Sequence, residues 1–128
     1  MATIIIQEND SAVLDVITQA LALENHRPIP ILGSCPEEMS SAIRRFRPDL
    51  VLVDHHAGLK SWSVLLGSIR KISRALPVVA LSCDLHIAKI ADRIGFNGFL
   101  SKPFDLDELF QKVEALLSGT PERPNFIV

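Results

Sequence analysis

The feature that most constrains this chain is an unbroken alternation of short apolar runs with apolar residues at helical spacing. Ile4 to Ile6 is followed by Val13, Val16, Ile17, Ala20 and Leu21, one face of a helix that Asp10 or Ser11 can cap. Ile29-Pro30-Ile31-Leu32 leads, past Ser34 or Cys35, into Pro36-Glu37-Glu38. Proline in a first turn and acid at the positive dipole end both favour a helix start there. Met39, Ala42, Ile43 and Phe46 carry that helix on. Leu50 to Val53 ends in Asp54, and a polar loop from His55 to Lys60 precedes a helix capped by Ser61. Its inner face is Trp62, Leu65, Leu66, Ile69 and Ile72. Pro77 opens the run Val78 to Leu81, which ends in Ser82, and Asp84 is the expected cap of the next helix. Ile87, Ile90, Ala91 and Ile94 face inward there, with Gly95 as the C-terminal stop. Gly98 to Leu100 runs into Ser101-Lys102-Pro103. The last helix opens on Asp105-Leu106-Asp107-Glu108, buries Leu109, Val113, Leu116 and Leu117, and stops at Gly119 and Pro121.

Five strands and five helices in strict alternation imply a parallel sheet covered on both faces. Five units are too few for an eight-stranded barrel. An open, doubly wound α/β sheet in the order 2-1-3-4-5 remains, with the proline-containing second strand at an edge, where missing ladder donors do least harm. At 128 residues and 48% hydrophobic content the chain suits one domain, expected over residues 1–119 with a short tail over 120–128. A formal net charge of −2 argues against a protein built for nucleic-acid phosphates. No stretch approaches a membrane span, and the chain starts without a basic leader. Cys35 and Cys83 lack metal-ligand spacing and read as free thiols in a cytoplasmic setting.

In such a sheet, ligands bind beyond the strand carboxyl ends, at the switch point between strands one and three. Glu8-Asn9 and Asp54 meet there, with Ser82 and Lys102 at the ends of the next two strands. A carboxylate closing a buried apolar strand is an expensive place for an idle charge.

These segments resemble the receiver domains of two-component response regulators over nearly the full length. The resemblance rests on QEND after the first strand, PDLVLVD ending at Asp54, VVALSCD carrying Ser82, and GFLSKPFDLDEL carrying Lys102-Pro103. It implies a flavodoxin-like (βα)5 fold and a regulatory domain rather than an enzyme. Asp54 would accept a phosphoryl group from a histidine kinase or phosphotransfer protein. Mg²⁺ would be held by Glu8, Asn9, Asp54 and the backbone carbonyl of His56. Ser82 and Lys102 would contact the phosphoryl oxygens, and the bond before Pro103 would be cis. Phe99 matches the family's aromatic switch. The output face would lie on the fourth helix, fifth strand and fifth helix, with His86, Lys89, Arg93, Phe99, Gln111 and Lys112, and would engage a downstream protein. A homodimer is a separate expectation, tied to no particular face.

The departures from the family pattern sit around the expected metal. Asn9 stands where a second acid is usual, so Mg²⁺ affinity should fall, with Asp10 as a partial substitute. The alternative is therefore a pseudo-receiver, an interaction module of the same fold that has lost phosphorylation. Gly58 replaces a common loop proline, and His55, His56 and Trp62 are expected to bulk the mouth of the site. The histidine pair lacks a third ligand for a transition metal. Cys83 is expected to be a small buried hydrophobe. A cofactor-binding protein of the same sheet order is disfavoured, because Glu8 and Asp10 would repel a phosphate. Met1 just before the first strand, and a tail too short for an output domain, fit a stand-alone protein.

Overall fold

The computed structural model describes residues 1–33, 35–54, 59–84 and 86–119, with the side chains of residues 59–61 excluded. Strands β1 (Thr3–Glu8), β2 (Arg27–Leu32), β3 (Leu50–Asp54), β4 (Val78–Ser82) and β5 (Gly98–Ser101) alternate with five helices. The helices are α1 (Ser11–Leu23), α2 (Pro36–Phe46), α3 (Leu59–Ile72), α4 (Ile87–Ile94) and α5 (Leu106–Ser118). The strands form one sheet in the order β2-β1-β3-β4-β5, with every neighbouring pair parallel. Pro28 and Pro30 lie on β2, at the edge where the sequence predicts them.

Side chains of successive strand residues point to opposite faces, so the buried strands divide into two cores. Ile5, Val51, Val53, Val78 and Ala80 pack under α2, α3 and α4 through Met39, Ile43, Leu66, Ile69 and Ala91. Ile4, Ile6, Leu50, Leu52, Val79 and Leu81 pack under α1 and α5 through Leu14, Ile17, Leu21, Leu109 and Val113. Burial of both faces explains why the strands read as continuous apolar runs rather than alternating ones.

Element ends differ from the sequence reading in several places. Gln7 and Glu8 complete β1 instead of starting a turn, because both pair in register with β2. On α1, Leu14 is buried, whereas Val16 is 56% exposed. Asp10 is the cap of that helix, accepting from the N–H groups of Ala12 and Val13. Helix α3 begins at Leu59, two residues before the expected cap Ser61. Asp84 accepts the N–H of His86, but α4 itself starts only at Ile87. Gly95 ends α4 in the left-handed region at φ 101°, as expected, whereas Gly119 ends α5 at φ −75° without needing that freedom. Cys83 is exposed, not buried, because it lies one residue past the end of β4. Trp62 is 3% exposed and meets Phe96 edge to face at 4.9 Å between centroids, so it fills the core instead of the mouth. Ser34, Leu85, the segment 55–58 containing His55, His56 and Gly58, and the tail 120–128 lie outside the described residues.

Candidate functional site

The carboxyl ends of β1 and β3 carry Glu8 and Asp54, which are 1% and 6% exposed. Their strand parity matches Ile4, Ile6, Leu50 and Leu52, so both turn toward the α1 and α5 side. Lys102, one residue past β5, reaches across to them. Its Nζ donates to Glu8 Oε1 and Oε2 at 2.9 Å each and to Asp54 Oδ1 at 2.8 Å. The peptide bond from Lys102 to Pro103 is cis, as the resemblance implies.

The other oxygen of Asp54 is also engaged. Asn9 donates to Oδ2 twice, from its backbone N–H at 3.2 Å and from Nδ2 at 2.9 Å. The side-chain amide thus turns its donor end to the carboxylate, where a metal ligand would have to present oxygen. Asp10 sends its backbone N–H to Glu8 Oε1 at 3.3 Å, while its own carboxylate caps α1. It therefore does not take the place of a second acid.

Ser82 lies at the end of β4, in register with Ser101 on β5, and is 1% exposed. Its Oγ accepts the N–H of Asp84 at 3.0 Å, and its carbonyl accepts the N–H of Lys102 at 2.7 Å. The latter bond fixes where the lysine leaves the sheet. Glu8, Asn9, Asp54 and Lys102 are thus directly bonded to one another, with Ser82 one strand away. His56 lies outside the described residues.

Two carboxylates share one ammonium, and the protonation equilibria reflect that imbalance. Burial pushes the Glu8 carboxyl up, Lys102 offsets this only in part, and its pKa stands above the ordinary 4.5. Burial also pushes Asp54 up, but bonds from Lys102 and Asn9 outweigh it and hold the pKa below the ordinary 3.8. For Lys102, burial alone would lower the pKa; its bonds to Asp54 and Glu8 raise it above 10.5. Asp54 is the group held ionised, and Glu8 is the one that carries the electrostatic cost.

A position between Glu8 and Asp54 already accommodates a cation, the ammonium of Lys102. Two carboxylates are a donor set suited to Mg²⁺, which typically takes one or two carboxylates from a protein. Among the described residues no group of three or more His, Cys, Asp or Glu side chains converges on one point.

Sequence reasoning missed Gln7. Its Nε2 donates to the Gly33 carbonyl at 2.6 Å and its Oε1 accepts the N–H of Asp54 at 3.2 Å. The available signal was a polar amide directly after the apolar run Ile4 to Ile6.

Comparison with known proteins bears on the fold and the family. The profile of the response regulator receiver domain matches residues 4–114. The DNA-binding transcriptional regulator NtrC of Azospirillum brasilense is 34% identical over 128 residues, a match covering 94% of this chain and 25% of that protein. The chain therefore spans about a quarter of that relative's length. The receiver domain of NtrX from Brucella abortus superposes with a TM-score of 0.75 at 26% identity, covering 91% of this chain and 99% of that one. The receiver domain of the sensor histidine kinase PA1611 from Pseudomonas aeruginosa PAO1, with a magnesium ion coordinated in its active site cleft, gives a TM-score of 0.78 at 21% identity. That match covers 91% of this chain and 98% of that one, and at its identity it bears on the fold alone.

Proposed function

The chain belongs to the response regulator receiver domain family, and from that premise we propose that Asp54 is its phosphoacceptor, charged by a histidine kinase or phosphotransfer protein. The observation that carries this reading is the three-way contact of Lys102 with Glu8 and Asp54 at the switch point of the sheet. A carboxylate is a modest nucleophile, so transfer to it depends on positioning and charge neutralisation. A carboxylate oxygen of Asp54 forms the bond to phosphorus as the phosphorus–nitrogen bond to the donor histidine breaks. The imidazole leaves with the electron pair and takes up a proton. Lys102, bound to Asp54 Oδ1 beforehand, is placed to pair with charge on the acyl phosphate. Ser82 is the hydroxyl nearest in the sheet order to donate to a phosphoryl oxygen. Glu8 and Asp54 are the residues that would hold Mg²⁺, with the His56 carbonyl as a further ligand. The ion would supply neutralisation of the incoming phosphoryl oxygens.

A cavity of about 560 Å³ adjoins Lys102 between α1 and the segment before α5, lined by Val13, Val16, Ile17, Pro103, Phe104 and Leu106. Its apolar lining beside the acceptor suits the surface of a phosphodonor protein. For output, the face of α4, β5 and α5 presents Phe99, half-buried with Lys112 Nζ 5.8 Å from its ring centroid, beside exposed Gln111, Lys89 and Arg93. Phosphorylation would shift the population of conformations there.

A second reading, the pseudo-receiver, is favoured by Asn9. Its amide meets Asp54 as a donor and contributes no charge for a metal. One experiment separates the two. With Mg²⁺ and a small phosphodonor such as acetyl phosphate, the protein is expected to gain one phosphoryl group by intact-mass measurement, and Asp54→Asn to gain none. A wild-type protein that stays unmodified at millimolar Mg²⁺ would establish the pseudo-receiver.

A further inference from the structure

Gln7 is 2% exposed, and its amide joins three strand ends. Asp54 is the last residue of β3 and lies past the β1–β3 register, which ends at Gln7 and Val53. Its N–H is taken up by Gln7 Oε1 at 3.2 Å. On the other side, Gln7 Nε2 donates to the carbonyl of Gly33 at 2.6 Å, just beyond the end of β2. Gly33 has φ 86°, a conformation that favours glycine, and its own N–H bonds the Glu8 carbonyl at 3.1 Å. The orientation of the amide is dictated by chemistry: a backbone N–H faces one end and a carbonyl the other, so only one of the two flips satisfies both. A buried amide with both ends satisfied holds its neighbours firmly, because losing either bond leaves a polar group without water.

We propose that Gln7 is a positioning residue for Asp54: its buried amide fixes the main chain of the phosphoacceptor to the turn after β2, and reactivity at Asp54 depends on that link. The inference rests on the reading of Asp54 as the phosphoacceptor. Asp54 Oδ1 and Oδ2 are shared between Lys102 and Asn9, and a small displacement of the Asp54 backbone would misalign both. Displacements of an ångström at a reacting group are enough to cost one to two orders of magnitude in rate.

The test is Gln7→Met in the full chain, which keeps volume and burial but removes both hydrogen bonds. The limiting rate constant for phosphorylation by acetyl phosphate at saturating Mg²⁺ is expected to fall about tenfold. In amide spectra of the wild type, phosphorylation should move the Gly33 N–H and the Gln7 side-chain signals. In the variant the movement at Gly33 should be lost. A variant that reacts at the wild-type rate, with the Gly33 response intact, overturns the positioning role and leaves the phosphoacceptor reading standing. A wild-type protein that takes no phosphoryl group overturns both. Should Gln7→Met fail to fold, the wild type alone decides: slowly exchanging Gln7 amide protons that shift on phosphorylation support the link, and fast-exchanging, unmoved ones overturn it.

Discussion

Lys102 stands between two carboxylates, and Asn9 occupies the remaining oxygen of Asp54, so each acceptor of the site has a donor before any metal arrives. Replacing Asn9 by aspartate exchanges a donor for a negative charge. In Asn9→Asp the metal-free site would hold three carboxylates against one ammonium. Divalent affinity follows the ligand charge count, and half-saturation by Mg²⁺ is expected to fall about tenfold. The metal-free melting temperature should fall with it. Titration followed by calorimetry checks the first effect and thermal unfolding the second; unchanged Mg²⁺ affinity would remove Asn9 from the metal end of the site. The identities of Glu8, Asp54, Ser82 and Lys102 were legible because each closes or follows an apolar run. The role of Gln7 was not, since a glutamine in a strand announces a buried polar group but not its partners. The donor orientation of Asn9 was equally hidden, being chosen by the carboxylate it meets.

Among the elements, α1 links site and core: Asp10 caps it, and Leu14, Ile17 and Leu21 bury it against β1 and β3. Asp10→Ala removes the side-chain acceptor for two N–H groups and is expected to cost about 1 kcal/mol in denaturant unfolding. Phosphorylation should persist, because the Asp10 carboxylate is spent on the helix and not on the site. The five strands and five helices were all recoverable from apolar spacing. Their ends were less so, for local reasons. Helix α4 waits until Ile87 because Asp84 closes a turn on His86 first. Val16 fits the helical spacing yet faces the cavity beside Lys102, while Leu14 takes the buried place. Spacing defines a stripe, but the sheet beneath decides which edge of the stripe is covered.

For the whole molecule, stability and metal binding are linked through the imbalance of charge. Glu8, with its pKa raised, contributes stability below its ordinary 4.5 and loses it as pH rises through the raised value. Asp54, lowered, contributes above 3.8 and loses that as pH falls through its lowered value. Lys102, raised, contributes up to 10.5 and loses that as pH climbs through its raised value. The metal-free fold therefore carries a growing cost of ionising Glu8 as pH rises, which a divalent ion would relieve. The rise in melting temperature caused by millimolar Mg²⁺ is expected to be larger near neutrality than near pH 4.5, as thermal scans at the two conditions would reveal. Equal shifts would mean that Glu8 does not bind the ion.

The amino-acid sequence by itself determined the alternation of elements, the edge place of the proline-bearing β2 and the residues at the strand ends. These follow from periodicity, from missing N–H donors and from the handedness of parallel connections, all local or nearly so. Only the tertiary structure decided what those strand ends do to one another. Lys102 meets Glu8 across 94 positions of sequence and Asp54 across 48, and Gln7 meets Asp54 across 47. Bonds over such separations depend on strand register, on burial that strengthens charge, and on which donor reaches an acceptor first. Asp54 is a carboxylate at a strand end in the sequence; in the fold its two oxygens are held by Lys102 and Asn9 and its N–H by Gln7.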